Sequence, residues 1–117
     1  MAVARLKRRP EFLAAAASGL KVVTPGIVVQ ARARNDGEAP RLGLTASRKI
    51  GGAVERNRAR RRLRAAGEAA IPLAGRAGHD YVLIARAAAL TRPYALLVED
   101  LTRALSRLAS PRRPEEK

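Results

Sequence analysis

The stretch with the most chemical potential is residues 47–64, SRKIGGAVERNRARRRLR. It holds eight basic side chains, Arg48, Lys49, Arg56, Arg58, Arg60, Arg61, Arg62 and Arg64, against one acid, Glu55. Wound as a helix, it puts Arg56, Arg60 and Arg64 at successive i,i+4 positions, with Asn57 and Arg61 running beside them. Like charges so spaced repel by about 0.2–0.5 kcal/mol per pair, so an isolated helix gains little from them. A row of phosphates removes the repulsion and accepts charge-assisted hydrogen bonds. Arginine's planar fork suits phosphate and base edges better than lysine's point charge. A merely solvated face would interleave acids, and these are missing. Asn57 is open between a neutral surface residue, a hydrogen bond to RNA and a clamp on the adjacent turn. Gly51-Gly52 is either a flexible joint or a place where backbone approaches a phosphate or a metal-bound ligand at the helix N-terminus.

Reactive constellations are absent. The chain has no cysteine, which excludes disulfides, thiolate zinc sites and cysteine nucleophiles. Its one histidine, His79, has no second histidine or evident serine partner. The adjacent Asp80 could orient it, but a histidine in a loop before a strand is more often structural. The acids are not spaced as a two-metal cage, so any hydrolysis linked to this chain is expected to be done by something else. Of the three aromatics, Tyr81 lies in an apolar run and reads as core. Phe12 is either core or a stacking platform for an unpaired base.

These groups sit on a chain of 117 residues, long enough for one domain. The net charge is +14, and hydrophobic residues make up 47% of the chain, so a core is possible and a basic disordered tail is not the whole answer. With aromatics at only 3%, that core is thin and aliphatic. So much positive charge implies a polyanionic partner. Nucleic acid fits better than a membrane surface, because large apolar residues for insertion are few. No apolar run suits a membrane span and no signal-peptide pattern is visible, so a soluble cytoplasmic protein is expected.

Periodicity predicts the elements that carry the site. Residues 5–17 read as a helix with Leu6, Phe12, Leu13 and Ala16 on one face, stopped by Ser18-Gly19. Residues 21–23 form a short extended piece. Residues 27–34 alternate, with Ile27, Val29, Ala31 and Ala33 inward and Val28, Gln30, Arg32 and Arg34 outward. After a turn containing Asp36-Gly37, residues 41–47 form the expected partner strand of an antiparallel hairpin. Residues 54–70 form the basic helix, buried through Ala59, Leu63, Ala66 and Ala70. Residues 72–78 read as a loop, and 80–86 as a doubly covered central strand. Thr91 is expected to cap a last helix buried through Leu97, Leu101, Ala104, Leu105 and Leu108. Together these make an α+β single-domain sandwich over residues 1–109, a small central sheet with helices packed on it. Residues 110–117 form a charged, disordered tail.

The chain resembles the protein subunit of bacterial ribonuclease P. The resemblance rests on Arg5-Leu6-Lys7 with Phe12 and Gly19, on RLGLTASRKIGGAVERNR from Arg41 to Arg58, on ARRRLR to Arg64, and on DYVLIAR. Arg56-Asn57-Arg58 preceded by Gly51, Ala53 and Val54 is its most specific part. The resemblance implies a holoenzyme that removes the 5′ leader of precursor tRNA, with an RNA subunit doing the chemistry. Magnesium would be bound chiefly by that RNA and the substrate. The implied partners are ribonuclease P RNA and precursor tRNA, in a 1:1 complex with a monomeric protein and no membrane. The implied fold is like the second domain of ribosomal protein S5, with a left-handed βαβ crossover against the usual hand. Arg48, Lys49, Arg56, Asn57, Arg58, Arg60, Arg61 and Arg64 would face RNA. Phe12, Val28, Gln30, Ser47 and Lys49 would line a cleft for the leader.

The chain departs from the family pattern at Ala16 and Gln30, where aromatics are frequent, and at Ala59, which is smaller than the usual branched residue. Ala59 with Ala66-Gly67 predicts a lightly packed basic helix. Competing readings are a structural RNA-binding protein, which would not distinguish precursor from mature tRNA, and a duplex-DNA binder, which would prefer duplex DNA in a gel shift. A protein-only nuclease would cleave without RNA.

Overall fold

The computed structural model describes residues 3–34 and 36–109. Its strands are β1 (Ala4–Arg5), β2 (Leu20–Val23), β3 (Ile27–Ala33), β4 (Arg41–Thr45) and β5 (His79–Ala85). Its helices are α1 (Arg9–Ala17), α2 (Ala53–Ala74) and α3 (Tyr94–Ala109), with 3-10 turns at Arg48–Ile50 and Ala87–Leu90. The five strands form one sheet in the order β1-β4-β5-β3-β2.

The most apolar strand takes the centre, as expected. Tyr81 and Leu83 face one core, while Val82 and Ile84 face a second, smaller one. This overturns the expected hairpin of residues 27–34 and 41–47. β3 pairs antiparallel with β2 and β5, whereas β4 pairs parallel with β5 and β1. The physical reason is burial. β5 is apolar on both faces and has to be flanked on both sides, so it separates the two half-polar strands. The link between them wraps the start of β5, where Arg34 N–H donates to the Gly78 carbonyl and Gly78 N–H donates to the Glu38 carbonyl.

α2 and α3 cover one face of the sheet. Ala59, Leu63, Ala66, Ala70, Leu97, Leu101, Ala104 and Leu105 are buried there against Ile27, Val29, Leu42, Tyr81 and Leu83. α1 covers part of the other face with Ala15 and half-buried Phe12. Leu13 and Ala16, expected on the buried face, are exposed.

Four boundaries also differ from expectation. Residues 4–5 join the sheet, and α1 starts only at Arg9, with Pro10 in its first turn, where a missing N–H costs nothing. α2 runs through Pro72 to Ala74, which is tolerated because Pro72 and Glu68, whose carbonyl loses its bond, are both exposed. Ser47 lies beyond the end of β4, as the N-cap of the following 3-10 turn. Thr91 does not cap α3: its N–H closes the 3-10 turn onto Ala88, and the Pro93 carbonyl accepts the first α3 bonds. The expected tail, 110–117, lies outside the described residues.

Candidate nucleic-acid interface

β4, α2 and β5 form a parallel strand–helix–strand unit that swings the basic helix over the sheet beside the β1 edge. There Asn57, Arg60, Arg61 and Arg64 of α2 meet Arg5 of β1 and Leu44 of β4 around an open depression of about 240 Å³. Asn57 Oδ1 accepts a hydrogen bond from Arg60 Nη1 at 3.0 Å, so the asparagine aims an arginine while its own amide N–H groups stay available. The acid nearest the row, Glu68, sits 3.7 Å from Arg64, with both side chains about half exposed, and neutralises little. Arg56 is half-buried, and its Nε is buried without an acceptor. Arg58 is exposed. The depression thus has four guanidinium groups and one carboxylamide on its walls and an aliphatic floor, a surface suited to phosphates.

Arg5 escaped the sequence reading, which placed it on the first helix. A two-residue strand has no readable period, so only the pairing of Arg5 with Leu42 reveals it.

Arg48 and Lys49 project from the 3-10 turn after β4 and are exposed. Ser47 Oγ caps that turn by accepting Lys49 N–H at 3.3 Å. Gly51 then takes φ 146°, and a side chain there would also lie 2.9 Å from Glu55 Cβ. Glu55 Oε1 uses this opening to accept Gly52 N–H at 3.0 Å, fixing the start of α2.

On the opposite face the strand register sets out rows. Val28 lies beside Ile84, which neighbours Thr45; Gln30 lies beside Val82, which neighbours Gly43. Phe12 packs directly over Gly43, since a Cβ there would fall 2.6 Å from the ring. Phe12, Val28 and Gln30 therefore share one face and are all half-buried, with Ser47 and Lys49 past the end of β4.

His79 and Asp80, adjacent in sequence, have separate partners. His79 Nδ1 lies 3.0 Å from the Ala77 carbonyl, and the ring stacks on Tyr81 with centroids 6.0 Å apart. Asp80 serves the sheet instead. It is fully buried and accepts from Arg34 Nη1 at 2.6 Å, from Arg41 Nε at 2.7 Å and Nη2 at 3.0 Å, and from Arg32 Nη1 at 3.4 Å. Burial pushes the Asp80 carboxyl up, but the hydrogen bonds from Arg41 and Arg34 outweigh it and leave it below its ordinary value. Arg41 also reaches Glu11 of α1 at 3.0 Å. Among the described residues no three His, Asp or Glu side chains cluster as a metal site, and no helix is long and apolar enough to cross a membrane.

Comparison with known proteins gives the family. The sequence model of the family described as Ribonuclease P matches residues 2–109. The ribonuclease P protein component of Caulobacter vibrioides (strain NA1000 / CB15N) is 49% identical over 108 residues, covering 91% of this chain and 71% of that one. The corresponding component of Gluconacetobacter diazotrophicus is 48% identical over 101 residues, covering 86% and 87%. Among solved structures, the RNase P protein from Thermotoga maritima superposes with a TM-score of 0.76 at 26% identity, covering 91% of this chain and 98% of that one. The Staphylococcus aureus RNase P protein gives 0.74 at 25% identity, covering 90% and 94%. With its sequence and its fold both matched along nearly the whole described length, the chain belongs to the ribonuclease P protein family.

Proposed function

We propose that this chain, as the protein component of a holoenzyme whose RNA is catalytic, acts by two separate surfaces. The groove of Arg5, Asn57, Arg60, Arg61 and Arg64, with Arg56 and Arg58 on the same helix and Arg48 and Lys49 ahead of it, binds ribonuclease P RNA. The face carrying Phe12, Val28 and Gln30, with Ser47 and Lys49 at its end, takes the single-stranded leader of precursor tRNA. The observation that carries the reading is the groove itself, an arginine row with hardly any neutralising acid. Such donors find acceptors in phosphates.

The mechanism is electrostatic and positional. Cations offset the repulsion between catalytic RNA and substrate, and the cleft holds the leader so that the scissile phosphate meets magnesium held chiefly by RNA and substrate. The reading includes a 1:1 complex with a monomeric protein, a cytoplasmic setting, and a left-handed β4–α2–β5 crossover in a fold like the second domain of ribosomal protein S5.

Reconstitution with a bacterial ribonuclease P RNA tests it. The holoenzyme should cleave precursor tRNA at low magnesium and bind it more tightly than mature tRNA. Arg56→Ala with Arg60→Ala should weaken RNA binding and raise the magnesium requirement. Cleavage at low magnesium that is indifferent to both substitutions would sink the mechanism.

A further inference from the structure

One arginine of the α2 run turns away from the groove. At about 100° per residue, Asn57, Arg60, Arg61 and Arg64 share an arc of about 100°, and Arg62 lies about 150° from its centre. Arg62 is half-buried, on the flank facing α3 and the 3-10 turn before it. Its Nη1 donates to the Leu90 carbonyl at 3.1 Å and its Nη2 donates to the Arg92 carbonyl. On the same flank the Tyr94 hydroxyl donates to the Ala65 carbonyl at 3.2 Å.

This flank matters because the underside of α2 carries mostly small side chains. It buries Ala59, Leu63, Ala66, Gly67, Ala70 and Ile71, two of them large, and Leu42 of β4 seats against Gly67, where a Cβ would fall 2.9 Å from its Cδ2. Helices normally key their roll and slide by ridges seated in grooves, and alanine and glycine make shallow ridges. A rigid two-pronged donor on two fixed carbonyls adds a directional key on the flank, where apolar packing supplies none.

We infer that Arg62 is a positioning residue: it locks the roll of α2 so that Asn57, Arg60, Arg61 and Arg64 face Arg5, and it makes no contact with RNA. This rests on the groove being the RNA surface.

The first test uses the unaltered protein. Phenylglyoxal labelling with peptide mapping should find Arg62 slow to react with or without ribonuclease P RNA. Arg60, Arg61 and Arg64 should be reactive alone and protected by the RNA. An Arg62 that is reactive in the free protein and shielded only by RNA overturns the inference, whether or not any variant folds.

The second test follows RNA binding against salt. Each phosphate contact contributes about 0.7–0.9 to the slope of log K against log salt. Arg61→Met should lower that slope by about this amount. Arg62→Met should weaken binding about tenfold, on the scale of two lost hydrogen bonds, with the slope unchanged. Arg62→Lys keeps the charge but not the fork, and should fail to restore affinity. Full affinity in the lysine variant, or a slope that falls as for Arg61→Met, overturns the inference. Should the unaltered protein show no salt-dependent binding of the RNA, the RNA reading of the groove fails, while slow labelling of Arg62 still supports the staple.

Discussion

Phe12 and Gly43 show how one atom can shape a surface. The ring occupies the space a Cβ at position 43 would fill, so the glycine lets Phe12, the aromatic of α1, pack directly over the sheet. Gly43→Ala is expected to force the ring off and cost about 1–3 kcal/mol by overpacking. Urea unfolding reads the stability. The functional prediction is sharper: the preference of the holoenzyme for precursor over mature tRNA should shrink, while affinity for ribonuclease P RNA stays. Loss of both together would mean that Phe12 serves the fold alone. Gln30 and exposed Ala16 make this test informative, since no second ring stands at either position to take over.

At the scale of elements, Asp80 ties the sheet together. It gathers arginines from β4 and from β3 and the residue following it, and Arg41 passes the connection to Glu11 of α1. Removing one partner from a buried ion pair typically costs about 3–5 kcal/mol, so Asp80→Asn should destabilise on that scale. The folded-state value of Asp80 is lowered, so its stabilisation is complete above the ordinary aspartate value of about 3.9 and is lost as pH falls through the lower folded value. Asp36, held down to about 2 chiefly by its hydrogen bonds from Arg34, acts in the same direction. Acid unfolding below about pH 4 should therefore be steep, and Asp80→Asn should flatten it; an unchanged acid limb would dismiss the clamp. None of this clamp was legible in sequence, where Asp80 opened the apolar strand and its one suggested neighbour was a His79 read as more often structural. Its arginines come from positions 32, 34 and 41, and only the insertion of β5 between β3 and β4 brings them together. The elements themselves were legible where periodicity is long: Ile27, Val29 and Ala31 of β3, the Ala59–Leu63–Ala66–Ala70 stripe and Leu97, Leu101, Ala104 and Leu105 of α3 are buried as their spacing requires, while Ala33, expected inward, is exposed and Leu108 is only half-buried. Pairing was not legible, because alternation says which face is buried and nothing about which strand lies alongside. The basic helix was readable as a run of cations with one acid, but not its division into a groove side and the Arg62 side.

The whole molecule sets a net charge of +14 against a core built largely of alanine and leucine. Self-repulsion of that size opposes the compact state, and a thin core has little reserve to offset it. A ligand that binds only the folded chain adds RT ln(1 + [L]/Kd), about 2.7 kcal/mol at a hundredfold excess over Kd. For a domain near this size each kcal/mol moves Tm by roughly 4–8 °C. Stability should therefore depend on the anion rather than on ionic strength alone. At equal ionic strength, Tm is expected to rise from chloride to sulfate to ribonuclease P RNA. Screening alone would give one value for the two simple salts, because it does not distinguish their geometry. The increment belongs to the groove if Arg60→Ala with Arg61→Ala reduces the gain from RNA while raising Tm in low-salt chloride, since those substitutions relieve like-charge crowding along α2. A variant that loses Tm in chloride and keeps the full gain from RNA would move the polyanion to another surface of the molecule.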